Sequence, residues 1–160
     1  MKNIICLLLI CTLFSCDKYS RKDFSFERMD YEGDELKING YFYREFNTDS
    51  YEVFYLYKNG VIYGPHIYPI STINELEDFL AKDALESNEE NPTSWGVFKI
   101  NGKNIIIEEW GEGTGGPYPV IEREGIIENN NSINFSVPID VIFEFQEFSP
   151  KRDSINEWIE

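Results

Sequence analysis

The chain has 160 residues, 14 basic against 29 acidic side chains, a formal net charge of −15 and 16% aromatic residues. So acidic a surface repels phosphate backbones, which excludes nucleic acid as a partner, while so many aromatic residues point to a packed core and exclude a disordered chain. A single histidine, and three cysteines that all fall within the first sixteen residues, leave little material for histidine or thiol catalysis.

The chain opens with MKNIICLLLICTLFSC: one positive charge at Lys2, then an apolar run from Ile4 to Phe14. That run is too short to cross a bilayer as a helix, which takes about 20 apolar residues, and its anatomy is that of a secretory signal peptide. Its end, Leu13-Phe14-Ser15-Cys16, resembles the lipobox of bacterial lipoproteins, with an aliphatic residue three before the cysteine and a small one just before it. The resemblance implies a signal peptide over 1–15, acylation of the Cys16 sulfur and cleavage before it. Two or three acyl chains, at about 0.8 kcal/mol per buried methylene, anchor a protein stably without spanning the membrane. Cleavage removes Lys2 and no acid, so 13 basic groups then face 29 acidic ones, a net charge near −16. With Cys6, Cys11 and Cys16 accounted for, the remaining domain has no thiol and can form no disulfide.

Residues 16–23 are expected to be the lipidated cysteine and a polar tether, and 24–160 a single β-rich domain. Phe24 to Tyr31 is a candidate edge strand. From Leu36, "LKINGYFYREF" is strand-like, and "YEVFYLYKNGVIYG" places Tyr51, Val53, Tyr55 and Tyr57 on one face with Phe54 and Leu56 on the other. Asn59-Gly60 offers a type I′ turn to a returning strand from Val61 to Tyr63. In "STINELEDFLAKDALES", Thr72 and Glu75 have the capping-box spacing, and Ile73, Leu76, Phe79, Leu80 and Ala84 form the apolar stripe of one helix, packed on a sheet or across a barrel mouth. "WGVFKINGKNIIIEEW" predicts a hairpin with Asn101-Gly102 at its tip and Trp95 and Trp110 at its open ends. Strands in "YPVIEREGIIE", "SINFSV" and "IDVIFEFQEF" follow, then a tail, "PKRDSINEWIE". Seven to nine strands on short connections, with one inserted helix, predict a mainly β fold: an antiparallel meander, closed as a barrel or wrapped as a strongly curved sheet.

Few residue patterns point to chemistry. Gly111, Gly113 and Gly116 fit GxGxxG, but Pro117 and a strand follow where a nucleotide site needs a helix, so the stretch is expected to be a loop. His66, beside Pro65, has no evident partner for a triad or metal site and is expected in a loop. Glu108 with Glu109, Glu122 with Glu124, and Asp34 with Glu35 are carboxylate pairs; on strands the first pair points to opposite faces, and all are expected on the solvated surface. No catalytic residue, metal ligand or cofactor is assigned, and the protein is not expected to be an enzyme. Tyr41, Tyr43, Tyr55, Tyr57, Trp95 and Trp110, together with Tyr63, are candidate ligand-binding residues. Rings apolar in body and polar at the tip suit a core, or a pocket for a small hydrophobic or sugar-like ligand.

Asp153-Ser154-Ile155 resembles the acceptor at which exported Bacteroidetes proteins carry O-linked sugars, which makes Ser154 a candidate glycosylation site. The order of the Trp95 hairpin, "PYPVIEREGII" and "NNNSINF" resembles small Bacteroidetes lipoproteins of unknown function with lipocalin-like architecture. That resemblance implies a barrel-like fold and carries no activity. The expected protein is a lipid-anchored binding module of the cell envelope, on the periplasmic side of the outer membrane or at the cell surface. The alternative is an envelope component that binds another protein through its acidic face.

Overall fold

The computed structural model describes residues 21–85, 91–114, 116–156 and 158–159. The segment expected to be a signal peptide, Cys16 and the start of the expected tether lie outside the described residues. Among the described residues eight strands run in chain order: β1 (Gly40–Asn47), β2 (Ser50–Leu56), β3 (Val61–Tyr68), β4 (Trp95–Asn101), β5 (Asn104–Trp110), β6 (Val120–Asn129), β7 (Ser132–Val137) and β8 (Val141–Glu147). Each pairs antiparallel with its neighbour, and β8 returns to β1 through Gly40↔Glu147 and Phe42↔Phe145, so the meander is a closed barrel. The lipocalin-like alternative to an open curved sheet is the one observed. The helix α1 (Ile73–Leu85) crosses between β3 and β4. No helix among the described residues is long and apolar enough to cross a membrane.

Period-two alternation explains the lumen. Phe42 on β1, Phe54 and Leu56 on β2, Ile62 on β3, Phe98 on β4, Ile105 and Ile107 on β5, Ile127 on β6, Ile133 and Phe135 on β7 and Phe143 on β8 form one buried cluster drawn from every strand. Eight strands enclose about the space that such side chains fill. Tyr31 and Leu36, from the segment before β1, join this cluster and plug the end where the tight hairpins lie, with Tyr31 N–H donating to Lys58 O and Lys37 N–H to Asn130 O.

The alternate residues of β1 to β4 are apolar too, because this wall is covered outside as well. Tyr41, Val53, Tyr55, Tyr57, Val61, Tyr63 and Trp95 pack with Leu76 and Leu80 of α1, with Phe148 just after β8 and with Trp158 and Ile159 of the tail. The helix begins as its sequence predicts: the Glu75 N–H donates to Thr72 Oγ1 at 3.3 Å. It lies along the barrel wall, not across the mouth.

Three local expectations are corrected. Phe24 to Tyr31 is not a strand; it is an irregular strap across the outside of β4 and β5, where Glu108 accepts hydrogen bonds from Ser25 N–H and Oγ–H and Phe24 stacks on Trp110 at 4.3 Å. A segment with an apolar ring and a serine to cap a buried carboxylate gains more from this contact than from an edge ladder. The Asn59-Gly60 turn is not type I′, since only Gly60 is left-handed, with φ of 77°; Gly60 N–H donates to Tyr57 O and Tyr57 N–H to Val61 O, a longer loop that ends in one left-handed glycine. His66 is not in a loop but within β3, opposite Val53.

Candidate functional site

The aromatic candidates divide between two places, both outside the lumen. Tyr41, Tyr43, Tyr55, Tyr57 and Trp95 belong to the layer between the barrel wall and α1, and Tyr63 joins them with its ring 4.9 Å from Trp95. Trp110 stands apart beneath the N-terminal strap, its indole N–H donating to Lys22 O at 2.8 Å. Burial pushes the phenols of Tyr41, Tyr55, Tyr57 and Tyr63 well above the ordinary tyrosine range, so they act as neutral core groups. The same burial lowers His66 to about 4; its ring rests 4.6 Å from Tyr63. The tail seals the layer. Lys151 Nζ donates to Ile38 O and Leu56 O, each at 2.6 Å, and lies 4.3 Å over the Tyr57 ring, while Arg152 pairs with Asp83 at 2.8 Å.

The lumen does not hold a deep calyx lined by these rings; it is filled at the plugged end and charged at the other. Following the lumen-facing positions toward the open end leads from Phe42 to Arg44, from Phe54 to Glu52, from Ile107 to Glu109 and from Ile127 through Gly125 to Arg123. These four side chains form one network. Arg44 Nε and Nη2 both meet Glu52 Oε2 at 2.5 Å. Arg123 donates from Nε to Glu109 Oε1 at 3.1 Å and from Nη1 to Glu52 Oε1 at 3.5 Å. Glu52 therefore bridges guanidiniums that come from β1 and β6. The Arg44 guanidinium also lies 5.6 Å from the Phe143 ring, where the charged layer meets the apolar one.

Glu109 is the least satisfied member. Its Oε2 is buried and has no hydrogen-bond partner, and burial raises its pKa to about 7 against the pull of Arg123, with the nearby Glu52 charge adding to the rise. Gly96 on β4 is the residue opposite Glu109, and a Cβ there would come within 3.0 Å of the Glu109 Cβ. Glycine at this point lets β4 and β5 approach closely beside Glu109, since a Cβ would meet the Glu108 carbonyl oxygen first.

Around this network the strand ends carry exposed apolar side chains: Phe46 at the end of β1, Ile67 near the end of β3, Ile121 at the start of β6, Val137 at the end of β7 and Ile139 just after it. Ile67 is in register with Glu52 and Ile121 with Glu109, and the Arg44 guanidinium lies 5.1 Å over the Phe46 ring. The end opposite the plug thus combines a charged floor with an apolar collar.

The other expected features fall elsewhere. Glu108 and Glu109 do point to opposite faces, but neither is on the solvated surface: Glu108 is buried under the strap and Glu109 in the lumen. Glu122 and Glu124 are exposed, while Arg123 between them turns inward. Glu35 accepts from the Tyr31 hydroxyl at 3.1 Å. The described glycines at 111, 113 and 116 lie in the loop between β5 and β6, as expected. The Ser154 hydroxyl is half-buried and accepts from Asn59 Nδ2 at 3.1 Å. Among the described residues, no group of three or more His, Cys, Asp or Glu side chains is placed to hold a metal ion. Comparison with protein-family models, curated proteins and solved structures finds no match.

Proposed function

We propose that the chain is a lipid-anchored binding module of the cell envelope, attached through Cys16, that takes its ligand at the open mouth of the barrel. The observation that carries this reading is the coincidence of a buried Arg–Glu network with a collar of exposed large apolar side chains at the same end of one barrel. A buried ion-pair network costs desolvation and is weak evidence for stability alone. Exposed apolar residues gathered about one opening mark an interaction site more often than chance exposure does. The filled lumen directs the ligand to the rim, and the tyrosine layer acts as core that holds the wall rigid.

Two measurements test the proposal. Cells fed an alkyne-labelled fatty acid should label the protein, and Cys16→Ala should abolish the label and release the chain from the membrane fraction. Native mass spectrometry of protein taken gently from its own envelope should show a stoichiometric small molecule. Ile121→Asp at the rim should lose that molecule, and Ile142→Asp, on the outer wall of β8, should keep it. A chain that carries no molecule, or carries it equally in the rim variant, refutes the site.

A further inference from the structure

The polarity of the mouth specifies the head group of its ligand, an inference that rests on the binding reading above. Of the four charged side chains, the arginines reach furthest toward solvent: the Arg44 and Arg123 side chains are 16% and 18% exposed, Glu52 and Glu109 6% each. The carboxylates are the floor and the guanidiniums face outward. Bonds to Glu52 and Glu109 engage Nε and Nη2 of Arg44 and Nε and Nη1 of Arg123, so one terminal nitrogen of each fork stays outside those pairs, and a guanidinium has five N–H donors to give. We infer that the mouth takes an anionic amphiphile, its carboxylate or similar head group held by Arg44 and Arg123 and its apolar body laid on Phe46, Ile67 and Ile121.

Two further observations agree on this occupant. The first is position. Arg21 packs at the same end of the barrel, with its guanidinium 4.7 Å over the Trp110 ring at the end of β5 and a bridge to Tyr118 just before β6. Cys16 is five residues earlier, and five extended residues reach at most about 18 Å. An anchor at Cys16 therefore keeps the mouth within reach of a bilayer, where amphiphiles reside. The second is the state of Glu109. Its Oε2 is buried without a donor, and the charged groups that face it are Arg123 from β6 and Glu52 from β2, with Arg44 of β1 beyond Glu52; Gly96 of β4 adds none. An anion that draws on Arg123 leaves Glu109 to take a proton from solvent, so the network gains a net positive charge as the anion arrives. Binding is then coupled to proton uptake, and affinity falls as pH rises.

The test is calorimetric titration of the purified full-length protein with decanoate, decyltrimethylammonium and octyl glucoside, each below its micelle concentration, at pH 7.5 in two buffers of different ionisation enthalpy. The expected result is binding of decanoate with uptake of a fraction of a proton, and weaker or no binding of the other two. The paired variant Glu109→Gln with Arg123→Gln, which strands no charge, should bind decanoate at least about tenfold more weakly and without proton uptake. Ile121→Ser, which leaves the network intact, should also weaken it. If the cationic or neutral probe binds as well as decanoate, or decanoate binds without proton uptake, the inference fails while the mouth remains a binding site. If none of the three binds, the binding reading falls with it.

Discussion

Glu109→Gln is the sharpest probe of the charged floor, because its effect on stability has a sign and a pH window. Burial lifts the folded-state pKa of Glu109 from 4.5 to about 7. Between those values the native chain holds a proton that the unfolded chain has released, so stability is fully present below pH 4.5 and is lost as pH rises through 7. The full shift of 2.5 units corresponds to roughly 3 kcal/mol at about 1.4 kcal/mol per unit. Between pH 5 and pH 8 about 2.5 kcal/mol of it is realised. Glutamine keeps an oxygen for the Arg123 Nε–H and carries no charge. Urea unfolding of both proteins at pH 5 and pH 8 should therefore show the variant gaining about 2 to 3 kcal/mol on the wild type over that interval. Comparing the two proteins at each pH cancels every other titrating group. A gap that stays constant between pH 5 and pH 8 would refute the placement of Glu109 as a buried, under-satisfied carboxylate.

Other parts of the molecule give predictions of their own. His66 stays neutral down to about 4 in the fold while the unfolded chain takes its proton near 6.5; stability should decline as pH falls through that window by about 2.5 kcal/mol, and His66→Phe should flatten the decline in acid-unfolding curves. Lys151→Met removes the donor shared by Ile38 O and Leu56 O and should cost about 2 kcal/mol in thermal unfolding; no change in melting temperature would mean that the tail is not a strap. Ser25→Ala leaves Glu108 Oε1 without its hydroxyl donor and should cost about 1 to 3 kcal/mol, with amide exchange quickening along the N-terminal strap before it quickens in the barrel. Leu80→Ala opens a hole between α1 and the barrel wall and should cost about 2 to 5 kcal/mol by denaturant unfolding.

Turn chemistry and alternation carried most of the fold. The hairpin from Trp95 to Trp110 is visible in its glycine tip and paired apolar residues, and α1 in its Thr72 cap and Leu76–Leu80 stripe, because both are settled by neighbours a few residues away. The inside and outside of β1 to β3 are not visible in the same way. Tyr41 and Phe42, or Tyr55 and Phe54, are both apolar, since that wall is buried on both faces; without a polar face to contrast, alternation cannot tell which row enters the lumen. That ambiguity made the tyrosines look like pocket walls. The charged floor was hidden for a related reason: Glu109 stands beside Glu108 in an acidic chain and reads as surface charge. A signal does exist in the phase of the strands. Arg44 follows Phe42 by two, Glu52 precedes Phe54 by two and Glu109 follows Ile107 by two, so each charge continues a lumen-facing row. What the sequence lacks is the barrel closure that sets the β1–β2 hairpin against the β5–β6 hairpin, where Arg123 reaches Glu52 across 71 residues.

The seam between β1 and β8 bears on how the molecule is made. Gly40 pairs with Glu147, residues near opposite ends of the domain, so the last wall of the barrel joins strands whose synthesis is separated by nearly the whole chain. Loop closure over such a span is slow to be repaid. Until β8 has emerged, β1 offers an unpaired ladder edge to any extended chain nearby. The period of greatest risk for this protein is thus the interval between the making of its first strand and its last, and a holding partner during synthesis would serve it best by covering β1.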